Sequence, residues 1–347
     1  MIQWHDLRFT IGMPHMVPGR LSEVELLKVL GSFQWDSISA LLGLPSSRIV
    51  NALDERLYAS FINIDLRFPA GQGQDSFDEG STVHVRNGIS VYANKFIEGL
   101  TLFSGAPIPA GATEDITGCA DLARADCPSA YLTNAFVTRM AGNTRLKVFE
   151  PSTMKTRDVP RAKSVPPGIA EHEVVQFTGQ VPDDGPPADW VPLRVRSEEP
   201  VRYAIVPESD LNGAGLLYFA RYVAMMNYAE RVFLTDRLVS PWTSQLVATL
   251  STERRRIYYF ANADPGDTVR AVVTGQVLVD ETARAAAPAS RRGTHVKLLF
   301  RLALSRASDN NLMAVALVRK SLSIPGHEKG LIAESERFLA HQGLRTG

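Results

Sequence analysis

The sequence predicts an α+β protein made of two fused copies of one unit, each a long helix wrapped by an antiparallel sheet. Three observations predict it. The same order runs twice along the chain: a Gly-containing turn, a long apolar helix, then four alternating strands. A proline-rich stretch, Pro151 to Pro200, separates the two runs. The 347 residues suffice for two units of roughly 150 residues each. The units are expected over 1–150 and 201–330, with a linker over 151–200 and a polar tail over 331–347.

The first copy opens with the turn-rich Gly12 to Gly19. Ser22 followed by Glu25 has the spacing of a capping box, and Leu26, Leu27, Leu30 and Phe33 keep the 3,4 period of a buried helical face. A second short helix is expected over Ser37 to Leu42, ending before Pro45. The period then changes to two, as strands require, over Leu57 to Phe68. Thr82 to Tyr92, Phe96 to Phe103 and Tyr131 to Met140 read as the remaining strands. Pro107 to Pro128, rich in Gly, Pro, Asp and Thr, reads as a long excursion.

The second copy repeats the order. Val201 to Val206 is a short strand, Asp210 to Gly215 a glycine-rich turn, and Leu216 to Leu234 a strongly apolar helix. Strands follow at Arg256 to Ala261, Thr268 to Val279, Thr294 to Leu304 and Leu312 to Ser323. Arg56-Leu57-Tyr58-Ala59-Ser60-Phe61 is expected to sit where Arg256-Ile257-Tyr258-Tyr259-Phe260 sits in the second copy. One long helix wrapped by an antiparallel sheet is the hot-dog arrangement, and two fused copies make a double hot dog, with a groove between them.

Composition removes several classes. Lys+Arg and Asp+Glu both number 37, so net charge points to neither nucleic acid nor an anionic membrane. Arg254-Arg255-Arg256 and Arg291-Arg292 read as solvated charge or as a docking patch for phosphates or an acidic carrier. Cys119 and Cys127 do not make a disulfide framework, and the seven histidines show no metal-ligand spacing, so no metal is expected. The first residues lack the order of a signal peptide, and no run reaches about 18 apolar residues, which points to the cytoplasm. Exposed sheet edges permit a homodimer without requiring one.

The groove of such a pair runs beside the helix N-termini, whose unpaired N–H groups suit a thioester oxygen that becomes an oxyanion. Asn212, Gly213, Ala214 and Gly215 stand ahead of the second helix, where glycines allow close approach and the Asn amide can donate. The bland alternative is a glycine-rich helix start capped by Asn. His15 and Gly19 hold the matching place before the first helix. His-x-x-x-Gly there resembles the hot-dog dehydratases of polyketide synthases, in which the histidine removes an α-proton. Those enzymes have proline where this chain has Val24, and they need an acid from the second copy, for which Asp210 stands nearest. His15 also reads as a loop histidine bonded to backbone. Tyr58 reads as a groove-lining aromatic. With a phenol pKa of about 10 it needs hydrogen bonds or positive charge to act as a nucleophile, and Arg56 stands two residues away on the same strand face.

Glu55 to Phe61, together with Asn212-Gly213-Ala214-Gly215-Leu216-Leu217-Tyr218-Phe219-Ala220-Arg221-Tyr222, resembles the double hot-dog acyltransferase/decarboxylases typified by the leinamycin-pathway enzyme. The likeness runs over most of residues 1–325. It implies self-acylation on a tyrosine by methylmalonyl-CoA, loss of CO2, and delivery of propionyl to the phosphopantetheine thiol of an acyl carrier protein in polyketide biosynthesis. It assigns the nucleophile to Tyr58 and requires no cofactor beyond the CoA and phosphopantetheine substrates. The excursion and the linker depart from the family, which bears on the groove mouth and carrier docking. Two alternatives stay open: a His15-dependent dehydratase, isomerase or thioesterase, and a non-catalytic carrier-binding scaffold.

Overall fold

The computed structural model describes residues 2–69, 72–122, 126–139, 146–156, 158–182, 189–279, 296–322, 324 and 326–344. Met140, Asp183-Asp184-Gly185, Pro186, Pro187, Arg291-Arg292, Thr294 and Ser323 lie outside the described residues. The strands are β1 (Gln3–Thr10), β2 (Tyr58–Arg67), β3 (Thr82–Tyr92), β4 (Phe96–Ser104) and β5 (Ser129–Arg139) in the first half. The second half holds β6 (Val201–Ala204), β7 (Leu250–Tyr259), β8 (Thr268–Val279), β9 (Val296–Arg306) and β10 (Leu312–Leu322). The helices that matter below are α1 (Glu23–Leu42), α2 (His172–Thr178), α3 (Phe219–Val232) and α4 (Lys329–His341).

These ten strands run in the order β1-β3-β4-β5-β2-β7-β10-β9-β8-β6 through one twelve-stranded antiparallel sheet, to which the short strands Leu146–Val148 and Val191–Pro192 add at β5 and β8. Read outward from the centre, the halves have the same order. The seam is the β2–β7 pair, with Ile64 opposite Ile257 and Asn63 opposite Tyr258. The duplication read from the sequence is therefore a duplication of topology, with one sheet continuous across both copies.

The register corrects one expected correspondence. Each seam strand carries one β-bulge, between Phe61 and Asn63 in β2 and between Thr252 and Arg254 in β7. Tyr58 precedes its bulge residue Ile62 by as many positions as Thr249 precedes Glu253. The strands correspond, but Tyr258 is not the counterpart of Tyr58. A shared basic–aromatic pattern aligned the segments, and the bulges place them at opposite ends of their strands.

Helix α1 is one helix of twenty residues, where the sequence suggested two. Ser22 caps it by accepting the Glu25 N–H at 3.3 Å, while the Glu25 carboxylate turns to Lys28, so half of the expected capping box forms. The apparent break at Gln34 and Ser37 is a buried polar network. Gln34 donates to Asn134, and Asn87 donates to Ser37, which removes the cost of burying these groups. Leu26, Leu27, Leu30, Ile38 and Leu42 are sealed against the sheet, each contributing about 1.5–3 kcal/mol. Gly31 sits mid-helix because α3 crosses there: a Cβ would stand 2.5 Å from the Phe219 ring.

Both faces of the sheet are covered. Ala314, Ala316 and Val318 of β10 join the core under the helices, while Val315 and Leu317 face a second cluster with Val175 and Val181. The proline-rich segment thus lies across the outer face of the second half and supplies α2. The Pro107–Pro128 excursion does the same for the first half, packing Ile116 and Leu122 on Leu100, Leu102 and Tyr131. Strand β1, which the sequence reading missed, is an edge strand whose Asp6, Arg8 and His5 dilute any apolar period. The stretch expected as a polar tail carries α4, whose Phe338 packs edge-on against Trp242 with ring centroids 5.0 Å apart. No helix of the described chain is long and apolar enough to cross a membrane.

Candidate functional site

A cavity of about 240 Å3 opens where β2 begins, β7 ends and α3 starts. It draws Tyr58, Ser60 and Phe61 from the first copy and Asn212, Leu216 to Phe219, Tyr222 and Asn262 from the second. Tyr58 and Asn212, singled out separately in the sequence, therefore line one cavity between the copies. Phe61 and Phe219 meet across it with ring centroids 4.0 Å apart.

Four tyrosines border this space, and their environments differ. The Tyr222 hydroxyl donates to the Ala261 carbonyl at 2.6 Å, and that of Tyr259 donates to the Phe219 carbonyl at 3.4 Å. Burial raises the pKa of both. Burial also raises that of Tyr218, and Glu25 adds a negative charge there. Tyr58 is half-buried, and among the described residues its hydroxyl has no hydrogen-bond partner. The Arg56 guanidinium carbon lies 4.9 Å from its ring centroid, so this phenol has positive charge beside it.

The Asn212–Gly215 turn performs a different task from the one expected of it. The Asn212 side-chain oxygen accepts the Ala214 N–H at 2.9 Å and the Leu216 N–H at 3.1 Å, and its carbonyl accepts the Gly215 N–H. The Leu217 N–H goes to the Asn262 side chain at 2.8 Å. Gly213, Ala214 and Gly215 are absent from the cavity wall, and Gly215 serves the turn with φ +69°. The Ala214, Gly215 and Leu216 N–H groups are thus committed within the turn, while Asn212 itself lines the cavity. Tyr218, the residue before α3, supplies no side-chain cap, which leaves the first-turn N–H of Phe219, a lining residue, without a capping side chain.

His15 and Asp210 occupy equivalent places: each backbone carbonyl accepts the N–H of its helix's N-cap residue, Ser22 or Tyr218, at 2.8 Å. Neither lines the cavity. His15 Nδ1 accepts the Gly12 N–H at 2.9 Å, and its ring meets Phe9 edge-on. Asp210 is fully buried, pairs with Arg221 at 2.8 Å and accepts the Val206 N–H. The bonded partners of each lie within its own copy, so the structure does not bring the two together.

The sequence reading missed two lining residues. Asn262 follows β7 and ties the α3 approach to it. His172 belongs to α2, inside the segment read as a linker; its Nε2 lies 2.9 Å from the Tyr259 carbonyl oxygen. Burial lowers its pKa, against the opposing pull of that carbonyl and of Glu173.

The second groove, at the other end of the seam, is about 310 Å3 and lies beside the start of α1. Arg20, Glu23, Glu230, Arg231 and Lys320 line it. Below it Arg255 is fully buried between Glu23 and Glu230, the latter at 3.0 Å, and Lys320 also pairs with Glu230. The arginine triplet is thus neither solvated nor a docking patch. Arg254 pairs with Asp65 at 2.9 Å and Arg256 with Glu171 at 2.7 Å. Asp65 would be pushed up by burial, but Arg254 and Arg67 hold it below the usual carboxylate range. Cys119 and Cys127 are unbridged, and burial pushes the Cys119 thiol up to about 12, which leaves it unreactive. Among the described residues no three His, Cys, Asp or Glu side chains gather as a metal-ligand set.

The chain order, single sheet and paired central helices match solved structures over nearly their whole length. An oleoyl thioesterase from Lactobacillus plantarum aligns at a TM-score of 0.53 and 11% identity, covering 93% of this chain and 98% of that one. The chain is a double hot dog. An acyl-ACP thioesterase from Bacteroides thetaiotaomicron aligns at 0.49 and 12% identity, over 91% of this chain and 97% of that one. A 12:0-ACP thioesterase from Umbellularia californica aligns at 0.48 and 10% identity, over 93% and 97%. No protein-family model matches the chain, and no curated protein matches it. At 11% identity the likeness to the Lactobacillus plantarum structure establishes architecture alone.

Proposed function

We propose that this double hot dog is an acyl-thioester enzyme that acylates itself on Tyr58. In this reading it is an acyltransferase/decarboxylase that takes methylmalonyl-CoA and delivers propionyl to an acyl carrier protein. One observation carries the reading. Tyr58, beside Arg56 and with no hydrogen-bond partner for its hydroxyl among the described residues, shares a cavity with the start of α3, which has no side-chain cap. The resemblance in the Glu55–Phe61 and Asn212–Tyr222 segments supplies the substrate class.

The chemistry follows in two stages. The Tyr58 oxygen bonds to the thioester carbonyl carbon, the C–S bond breaks, and CoA leaves as a thiol. The carboxylate of the tyrosyl ester then releases CO2, and the electron pair of the broken C–C bond moves toward the ester oxygen as an enolate. The Phe219 N–H and the α3 dipole stabilise that oxygen, the kind of preorganised donation worth about 3–4 kcal/mol per donor in known oxyanion holes. Protonation at carbon gives the propionyl ester, which the carrier's phosphopantetheine thiol removes. The apolar wall of Phe61, Phe219 and Tyr222 suits a short acyl chain and excludes water from the ester.

Intact-protein mass spectrometry after incubation with methylmalonyl-CoA tests the reading. A propionyl or methylmalonyl adduct is expected on the wild type, mapped to Tyr58 and missing from Tyr58→Phe. CoA release with no adduct on either protein would replace the reading with thioester hydrolysis.

A further inference from the structure

The cavity that holds Tyr58 has an unusual composition for a site of acyl transfer. Among its described lining residues there is no Asp, Glu, Lys or Arg. Yet each half of the proposed reaction must move a proton, first from the phenol and later from an incoming thiol. Among the described residues His172 is the one lining side chain whose type exchanges a proton near neutral pH. It comes from α2, on the segment joining the copies, and from neither central helix.

Its ring is held from two sides. The Tyr259 carbonyl oxygen, 2.9 Å away, can only accept, so Nε2 carries the hydrogen. The Phe260 ring lies against the imidazole with centroids 4.9 Å apart. A neutral imidazole protonated on Nε2 has its lone pair on Nδ1.

We propose that His172, through Nδ1, is the general base and acid of the Tyr58 cavity. The proposal rests on the reading of Tyr58 as nucleophile. In acylation Nδ1 takes the phenol proton as the Tyr58 oxygen bonds to the carbonyl carbon, and returns it to the departing CoA sulfur as the C–S bond breaks. In transfer Nδ1 takes the proton of the pantetheine thiol as its sulfur bonds to the ester carbon. The C–O bond then breaks, and the Tyr58 oxygen receives that proton. The imidazole ends each half as it began.

The groups around His172 keep it neutral at pH 7. Burial lowers its pKa from 6.5, while the Tyr259 carbonyl and the exposed Glu173 oppose that shift. From β7 and the residue after it come only a carbonyl and two rings, Tyr259 and Phe260. Tyr222 adds a phenol whose pKa burial has raised. A base must be unprotonated to act, so turnover is present above the His172 pKa and is lost as pH falls through it.

The experiment compares wild type with His172→Gln in two measurements. Gln retains a donor for the Tyr259 carbonyl, so fold and KM for methylmalonyl-CoA are expected within about threefold of wild type. The kcat is expected to fall by about 10^2–10^4, and the acidic limb of kcat/KM, with its midpoint below pH 6.5, is expected to vanish. A variant with wild-type kcat and an unchanged acidic limb overturns the proposal. Long-range 1H–15N spectra of the wild-type imidazole supply a readout that needs no turnover. They are expected to show hydrogen on Nε2 and an Nδ1 resonance that moves when propionyl-CoA is added. A protonated or unmoved Nδ1 overturns the proposal even if Tyr58 acylates. Conversely, a Tyr58→Phe protein that turns over while His172→Gln does not removes the Tyr58 reading and leaves His172 standing.

Discussion

At one end of the β2–β7 seam, the groove beside α3 is walled by Tyr58, Phe61, Phe219 and Tyr222, with His172 as the one imidazole among its described lining residues. At the other end, the groove beside α1 is walled by Arg20, Glu23, Glu230, Arg231 and Lys320 above the buried Arg255. The same seam, helix start and pre-helix turn build both. A duplicated fold supplies two positions of like topology, and the side chains make one an aromatic cavity and the other an ionic clamp. Phe219 at the start of α3 and Glu23 at the start of α1 summarise the divergence: an apolar wall against a carboxylate bound to Arg255.

The largest expected effect separates the grooves by chemistry. Tyr58→Phe is expected to lower turnover by on the order of 10^3-fold or more with little change in melting temperature, because the hydroxyl makes no structural bond among the described residues. Thr252→Val in the second groove removes a hydroxyl that donates to Glu23 and is expected to leave turnover within about twofold, at a stability cost of about 1 kcal/mol. Steady-state rates of the two variants, side by side, measure the asymmetry directly. Equal losses would mean that both grooves react.

Stability is expected to follow the opposite pattern. Arg255→Met leaves Glu23 and Glu230 buried without their shared partner and is expected to cost about 3–5 kcal/mol in urea unfolding. Adding Glu23→Leu and Glu230→Met should restore much of that loss, because the penalty is that of the stranded charges. The same clamp sets an acid limit. Burial pushes Glu230 up, but Arg255 and Lys320 overcome this and hold it below the usual carboxylate range. A carboxylate whose folded pKa is depressed stabilises the fold above its unfolded value, about 4.3, and loses that contribution as pH falls further. Urea midpoints are therefore expected to drop below about pH 4.3, and less steeply in Glu230→Gln.

A smaller effect tests how the helix crossing shapes the groove beside α3. A Cβ on Gly31 would stand 2.5 Å from the Phe219 ring. Gly31→Ala gains helix propensity but forces that ring toward Phe61, so it is expected to cost about 1–3 kcal/mol. Its kcat/KM is expected to fall several-fold while Arg255 and its partners stay intact. A rise in stability with unchanged kinetics would show that the crossing relaxes without touching the cavity.

Much of this architecture was legible because local period and tertiary burial agree. The alternation of Leu57 to Phe68 and the 3,4 spacing of Leu26, Leu27 and Leu30 each survive as a strand and a helix face. What stayed hidden lies where tertiary context overrides pattern. Gln34 and Ser37 looked like a helix break until Asn134 and Asn87 met them from across the sheet. Tyr58 and Asn212 could be picked out by their motifs. Nothing near His172 in sequence marks it, since its partner Tyr259 is 87 positions away and its segment reads as proline-rich spacer. The glycine turn misled in a related way. Its N–H groups look available in sequence, yet Asn212 uses its own side chain to bind them.

The smallest expected effect is also the sharpest control on which tyrosine matters. Tyr258 shares the Arg-x-Tyr pattern of Tyr58, but it lies fully buried on the outer side of the sheet. Its hydroxyl donates to Glu171 and accepts from Arg256 at 3.1 Å, and burial pushes its pKa up. Tyr258→Phe removes one hydrogen bond but leaves Glu171 paired with Arg256, so no charge is stranded. The expected cost is about 1 kcal/mol in urea unfolding, with turnover within about twofold of wild type. The Arg256 guanidinium and the Tyr258 phenol lie under the segment that covers the outer face of the second half, while Tyr58 lines the cavity between the halves with Arg56 at its ring. If Tyr258→Phe abolished turnover and Tyr58→Phe did not, proximity to the α3 start would lose its place as the deciding feature. The chemistry would then have to be sought on the other face of the sheet.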